Sequence, residues 1–185
     1  KGEYVGLVLL DLQKAFDTVD HDILCDKLTA MGIGSTGWFR SYLSGRMQKV
    51  KVGDVISDSK PITCGVPQGS ILGPLLFLCY VNDMELSTDV KLLLYADDSA
   101  LIVPGKNPKA IAETLSTTLE SCREWLVDNR LSLHLGKTEA ILCGSKRNLQ
   151  KANNFLVKCN DTPINSVSVV KYLGLKLRLI CLVKP

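Results

Sequence analysis

Asp97 and Asp98 stand side by side between two apolar arms in "VKLLLYADDSALIV", residues 90–103. An ionised carboxylate in apolar surroundings costs free energy unless it is paired, hydrogen-bonded or bound to a cation. Neighbours on a regular strand point to opposite faces, but Asp and Ser favour turns. With Leu92–Tyr95 and Ala100–Val103 as short strands, the stretch is predicted to form a hairpin with both carboxylates at its tip. A hard divalent cation suits that tip; an ordinary surface turn is the alternative. Asp11 closes another apolar run, "EYVGLVLLDL". If that run pairs beside the hairpin, three carboxylates meet at one end of a sheet. Such a cluster repels itself without cations. Two divalent ions would resolve the repulsion and suit in-line phosphoryl transfer, one activating a 3′-hydroxyl and the other steadying pyrophosphate. Mg²⁺ is the expected ion, because it accepts a few carboxylates together with waters and substrate phosphates.

The elements that must position these residues follow from patterning. "EYVGLVLLDL" has the continuous apolar character of a buried strand. Residues 21–31 are predicted to be a helix stopped by Gly32, and "GWFRSYL" a second helix ending near Gly45. "MQKVKV", a Gly53-Asp54 turn and "VISDSKPITC" suggest a hairpin. Ser70 is placed to cap a helix running to about Met84. Asn107 and Pro108 suit the start of a helix reaching Asn129, with Ile111, Leu115, Leu119, Cys122 and Trp125 or Leu126 at helical spacing. "LSLHLGKTEAILCG" suggests an extended piece, a turn and a strand; "GSKRNLQKANN" a polar basic loop; "FLVKCNDTPI" with "VSVVKYLGLKL" a closing hairpin. The fold class expected is α+β, an antiparallel-rich sheet backed by helices.

Composition narrows the function classes. Apolar residues make up 46% of the 185, enough for a sizeable core in one domain with at most a small appendage. The net charge of +3 permits polyanion binding. Two runs without acids, Arg40/Arg46/Lys49/Lys51 and Lys146/Arg147/Lys151/Lys158, could meet phosphates or simply keep loops and edge strands solvated. Seven scattered cysteines without a Cys-x-x-Cys pair argue against a disulfide framework or zinc site and for a reducing compartment. "ILGPLLFLCYV" is too short to span a bilayer, and no signal peptide is visible. No nucleophile–His–Asp set and no phosphate-cradling glycine loop is present. Asp17, Asp20, His21 and Asp22 are read as helix-start residues rather than ligands, and His134 as structural. Asn82 and Asp83 are expected to cap or pair at a helix end.

The ordered set "LLDLQKAFDTVDH", "GVPQGSILGPLLF", "YADD", "LSLHLGKTEAIL" and "VKYLGLKL" closely resembles the reverse transcriptases of non-LTR (LINE-type) retrotransposons. The resemblance runs from the family's motif A at residues 9–21 to its motif E near 170–177. It implies a polymerase palm whose small antiparallel sheet, packed on helices, carries the YADD hairpin beside the motif A strand, with part of the fingers. It also implies RNA-directed DNA synthesis: two-metal-ion addition of deoxynucleotides to a primer 3′-end in retrotransposon copying.

Carried over by position, Asp11, Asp97 and Asp98 match the metal-binding carboxylates, and the Leu12 carbonyl would complete a metal shell. Two Mg²⁺ ions are implied, with Mn²⁺ as the alternative. Phe16 matches the steric gate whose ring excludes a ribonucleotide's 2′-hydroxyl; without the family it is an aromatic core residue. Pro67, Gln68 and Gly69 match the motif that touches the incoming nucleotide and templating base; without it they are a loop before a capped helix. Lys137 matches a general acid that protonates departing pyrophosphate, and is otherwise a solvated turn lysine. Tyr172, Leu173 and Gly174 fit the hairpin that grips the primer end.

On this reading the whole chain, 1–185, is part of a reverse transcriptase domain. Residues 1–143 would hold motifs A to D and 155–177 a primer-grip-like hairpin, with N-terminal fingers and the C-terminal thumb absent. The expected partners are an RNA template, a DNA primer, dNTP and the rest of a parent polyprotein, and no membrane. Lys1 followed at once by a strand suggests an excised piece, and "LRLICLVKP" a truncated or degenerate end, so little processive activity is expected from it alone. The expected location is intracellular and reducing, in nucleus and cytoplasm. An intron-encoded, maturase-type reverse transcriptase and a non-catalytic nucleic-acid-binding remnant are the alternatives.

Overall fold

The computed structural model describes residues 3–150, 152 and 154–178. The chain opens on β1 (Tyr4–Leu10), then α1 (His21–Ala30) and α2 (Thr36–Leu43). Four two-residue strands follow: β2 (Met47–Gln48), β3 (Lys51–Val52), β4 (Val55–Ile56) and β5 (Lys60–Pro61). Next come α3 (Leu72–Val81), β6 (Lys91–Tyr95), β7 (Asp98–Gly105) and the long α4 (Pro108–Asp128). The last part holds β8 (Glu139–Cys143), α5 (Lys146–Leu149), β9 (Lys158–Cys159), β10 (Thr162–Pro163), β11 (Asn165–Ser166), β12 (Val169–Tyr172) and β13 (Leu175–Arg178). The class is mixed α and β, as the patterning predicts.

The single domain expected from length is divided into two compact units. The first takes the chain up to Gln13, Asp83–Asp128 and Ser132 onward; the second takes Lys14–Asn82 with Asn129–Leu131.

The first unit is built on a sheet in the order β11-β8-β1-β7-β6. All pairings are antiparallel except β11 with β8, which is parallel. β1 lies in the middle, and its residues alternate between full and partial burial. Tyr4, Val8 and Leu10 are buried, together with Leu101 and Val103 of β7 and Ile111, Leu115, Leu119, Cys122 and Leu126 of α4. α4 starts as its sequence dictates, with Asn107 Oδ1 accepting the Lys109 N–H at 2.9 Å and Pro108 in first position. The helix crosses β1 at Gly6, where a Cβ would sit 2.3 Å from Ile111 Cγ2 and 2.8 Å from Leu115 Cδ1. Burial pushes the Cys122 thiol up to about 11, which suits an apolar core residue rather than a ligand.

Two expectations about the last part change. "GSKRNLQKANN" is not wholly loop: Ser145 caps the short α5 through its hydroxyl, which accepts the Asn148 N–H at 3.2 Å. The single closing hairpin is instead two, β9–β10 and β12–β13, with β11 between them on the sheet edge. Asn160 and Asp161, both at positive φ, turn the chain back within "KCNDTP". Residues 179–185, most of the apolar tail, lie outside the described residues.

The second unit packs α1, α2 and α3 around Leu24, Leu28, Leu43, Leu76, Phe77 and Tyr80, all buried. Asp20 caps α1, accepting the N–H groups of Asp22 and Ile23 at 3.0 Å each and pairing with Arg130. Burial works against its ionisation, but those N–H bonds and the Arg130 guanidinium hold its carboxyl below the ordinary value. The Tyr80 hydroxyl donates to the Asn129 carbonyl at 2.6 Å and accepts from the Asp20 N–H at 3.3 Å. That bridge ties the short piece Asn129–Leu131 to the rest of the unit. Gly32, at φ 84°, stops α1 as predicted. The Gly53-Asp54 turn lies between β3 and β4, and β2 pairs with β5 outside them.

Two stability measurements test this account. Gly6→Ala should cost about 1–3 kcal/mol by overpacking against α4, read as a lower urea midpoint at unchanged slope. Asp20→Ala should cost about 1–2 kcal/mol at pH 7. Because the folded-state pKa of Asp20 is depressed from 3.8, its stabilisation is present above that value and is lost as pH falls through the folded one. The gap between wild type and variant should therefore close below about pH 4.

Candidate active site

Three carboxylates lie at one end of the sheet in the first unit. Register fixes where: the last β1–β7 pair is Leu10↔Ser99. The next residues outward are Asp11 and Asp98, which stand beside each other on adjacent strands. Cross-strand partners share a face. Leu10 and Ser99 are buried on the face carrying α4, so Asp11 and Asp98 belong to the opposite one. The hairpin differs from expectation in one respect. Its turn is Ala96-Asp97, with Tyr95 paired to Asp98, so Asp98 opens β7 and Asp97 alone sits in the turn. Ala96 takes φ 53° to make the two-residue connection.

Asp97 and Asp98 are exposed and Asp11 is half-buried. Among the described residues, no three His, Cys, Asp or Glu side chains are gathered closely enough to hold a metal ion. The expected convergence is thus met by position on the sheet but not by a closed three-carboxylate cluster.

Backbone geometry fixes which way the Leu12 carbonyl faces. Leu12 forms an isolated antiparallel bridge with Leu133. The His134 N–H donates to the Asp11 carbonyl at 2.7 Å, and the Gln13 N–H to the Ser132 carbonyl at 2.8 Å. Leu12 is therefore the residue whose own N–H and C=O face the other edge of the strand, where β7 and the hairpin tip lie. The donor set is all oxygen, which fits a hard cation. His134 takes part here through its backbone. Its carbonyl also accepts the N–H groups of Lys137 and Thr138 at 3.0 Å, forming the exposed turn that holds Lys137 just before β8.

β12–β13 reaches the same face of this unit. Its Val170 packs with Ile141 and Cys143 against Val5, Leu7 and Leu9, the β1 residues that point away from α4. Leu173 and Gly174, at φ 47° and 80°, form its two-residue turn between Tyr172 and Leu175. Burial and, to a smaller extent, the Asp98 carboxylate raise the Tyr172 phenol above its ordinary value.

Phe16, Pro67, Gln68 and Gly69 belong to the second unit. The Phe16 ring packs on Phe77 at 4.5 Å between centroids. The segment before Pro67 is laid against Phe16–Val19 by backbone bonds. The Gly65 N–H donates to Val19 at 2.7 Å and the Val66 N–H to Phe16 at 2.8 Å. Side chains complete the strap. Gln68 Nε2 donates to Asp17 Oδ1 at 2.7 Å, the Cys64 thiol donates to the Asp17 carbonyl at 3.3 Å, and His21 Nε2 lies 2.8 Å from the Gly65 carbonyl. Beside this strap is a cavity of about 670 Å³ whose lining includes Lys14, Asp17, Arg46, Pro67 and Gln68.

His21 does start α1, as read from sequence, but it and Asp17 also make contacts that the helix-start reading does not include. Asp20 does cap the helix and Asp22 pairs with Arg40, but Asp17 and His21 hold the loop around Gln68. No local signal marks this, since Asp17 and Gln68 are 51 residues apart in sequence.

The family described as reverse transcriptase (RNA-dependent DNA polymerase) matches residues 1–177. The RNA-directed DNA polymerase from mobile element jockey of Drosophila melanogaster is 30% identical over 184 residues, spanning 95% of this chain and 20% of the relative. A Pol polyprotein from the type-1 retrotransposable element R1 of Bradysia coprophila is 29% identical, spanning 94% of this chain and 17% of the relative. The chain thus covers about a fifth of the length of these curated relatives. Among solved structures, apo telomerase from Candida tropicalis, truncated from its C-terminal domain, superposes with a TM-score of 0.59 at 15% identity. It covers 95% of this chain and 34% of that one, and shows a shared fold.

The strap yields a prediction of its own. Gly65 has φ 89°, and a Cβ there would meet the Asp17 carbonyl oxygen at 2.7 Å. Gly65→Ala should destabilise the protein by about 2 kcal/mol or more through backbone strain and this contact, with hydrogen exchange of Val66 and Gly65 rising before that of α1.

Proposed function

The chain belongs to the reverse transcriptase (RNA-dependent DNA polymerase) family, and we propose that it is the palm, with part of the fingers, of a non-LTR retrotransposon polymerase that copies RNA into DNA. The observation that carries this reading is the register Leu10↔Ser99. Continued by one residue, it supports a reading in which Asp11 neighbours Asp98 on the face of the sheet against which Val170 of β12 packs. The relatives named as RNA-directed DNA polymerases supply the reaction class.

Asp11, Asp97, Asp98 and the Leu12 carbonyl would hold two Mg²⁺ ions, with Mn²⁺ as the alternative. When bound, such ions neutralise charge at the primer 3′-oxygen and at the pyrophosphate leaving group. The chain's own residues do the rest. Lys137 Nζ holds a proton for the departing pyrophosphate. Tyr172, Leu173 and Gly174 set the primer end through backbone contacts. The Phe16 ring presents bulk against a 2′-hydroxyl, with Phe77 behind it fixing its position. Pro67, Gln68 and Gly69 meet the incoming nucleotide and templating base, and Asp17 holds the Gln68 amide. The partners are then an RNA template, a DNA primer, dNTP and the remainder of a longer polyprotein. Among the described residues, no helix is long and apolar enough to cross a membrane. Unpaired thiols such as Cys25 and Cys64 suit a reducing compartment, and nucleus and cytoplasm are the proposed locations.

The test is Mg²⁺ binding by calorimetry, with and without primer–template and dNTP, on the wild type and the Asp97→Asn/Asp98→Asn double variant. Ligand-dependent Mg²⁺ uptake should be lost in the double variant, and any primer extension should fall at least about 100-fold. Equal uptake by both folded proteins would remove the hairpin from the reaction.

A further inference from the structure

The second unit carries an aromatic feature that none of these roles uses. Trp38 and Tyr42 lie one turn apart on α2, with ring planes 5° from parallel and centroids 5.5 Å apart. Past the end of the helix, the Arg46 guanidinium lies over the Tyr42 ring at 4.8 Å, its Nε–H held by the Tyr42 carbonyl at 2.9 Å. Phe39 meets the Trp38 ring edge-on at 5.0 Å, fixing its tilt. The result is a stack of two parallel rings, indole and phenol, with the guanidinium lying over the second. An aromatic stripe at helical spacing is ordinarily core. Here Trp38 is 55% exposed, while Leu43 alone on this helix is fully buried.

Charge indicates what the stack meets. Beyond Arg46, the residues Lys49, Lys51 and Lys60 follow along the short hairpins, against Asp54 and Asp58. Arg40, on the same helix, is already engaged by Asp22 and Asp26. A preorganised stack of flat rings, cationic at one end and flanked by lysines, matches a strand whose bases are free to stack and whose backbone is anionic. A protein partner would be served by apolar bulk alone and needs neither parallel planes nor excess positive charge.

We propose that Trp38, Tyr42 and Arg46 form a stacking platform for the unpaired bases of a single-stranded nucleic acid. That the strand is the template ahead of copying rests on the polymerase reading; the platform itself does not. Every base has a π-face, so the site is tolerant of base sequence, and an indole face cannot sense the sugar, so RNA and DNA single strands both qualify.

The experiment is a fluorescence titration of the whole chain with short single-stranded RNA and DNA, in EDTA and without dNTP. Closed-hairpin duplex serves as competitor. Tryptophan emission should be quenched by both single strands and little by the duplex. Trp38→Leu should remove that quenching and weaken binding about 5- to 30-fold, whereas Trp38→Phe should stay within about 3-fold of wild type. The ratio between wild type and Trp38→Leu should hold between low and moderate salt, because stacking is not ionic, while both affinities fall with salt. Equal affinity of wild type and Trp38→Leu, both shown folded by urea denaturation, would overturn the proposal, as would duplex competing as well as single strand. Equal Mg²⁺ uptake by wild type and the Asp97→Asn/Asp98→Asn variant, with this binding intact, would fault only the template assignment.

Discussion

The pairing of β1 with its two neighbours is the constraint on which the first unit depends. Side chains alternate along a strand, so a slip of one residue against β7 would exchange the two faces. Asp11 would turn toward α4 and Leu10 toward solvent. Gly6 guards against the slip, because it is the one position where α4 can cross β1 without a side chain between them. Moving Val5 or Leu7 under Ile111 would force a branched side chain into space already filled. The close approach that packs the helix is therefore the same feature that keeps the acidic residues on the open face.

The second unit shows a different economy, in which one segment serves twice. Phe16 packs its ring on Phe77 while its carbonyl holds the Val66 N–H. The reading of Phe16 as core and its reading as a gate do not compete, since a ring fixed by packing is what a steric filter requires. Asp17 likewise ends a short turn and also anchors Gln68. The loop before α3 has few partners of its own and takes its shape from the segment that follows β1.

What could be read from the amino acids alone was the part written in local chemistry. The cap and apolar stripe of α4, the stop at Gly32, the turn at Gly53 and the hairpin around Asp97 each depend on residues within a few positions of one another. The division into two units was not legible, because Asn129–Leu131 joins the second unit through Tyr80, far away in sequence. The place of Asp98 in β7 rather than in the turn depends on Ala96 accepting a left-handed conformation, which its identity does not advertise. The two closing hairpins were merged because each strand is too short to show alternation. The roles of Asp17 and His21 were hidden for a related reason: an acidic residue before a helix has a sufficient local explanation, and nothing nearby points to a loop some fifty residues on.

The position of β1 also bears on how the chain is made. The strand at the centre of the sheet is synthesised before either neighbour. β7 follows roughly 90 residues later and β8 later still, so at about 5–20 residues per second a ribosome holds β1 unpaired for about 5–20 s. Throughout that interval "YVGLVLL" lacks both of its partner strands and has the apolar, uncharged character that favours pairing with other chains. The second unit's helices emerge during the same interval and can form from local contacts. Nascent chains of this protein should thus carry a folded helical portion and an unsatisfied strand together, which is the kind of surface that chaperones at the exit tunnel hold.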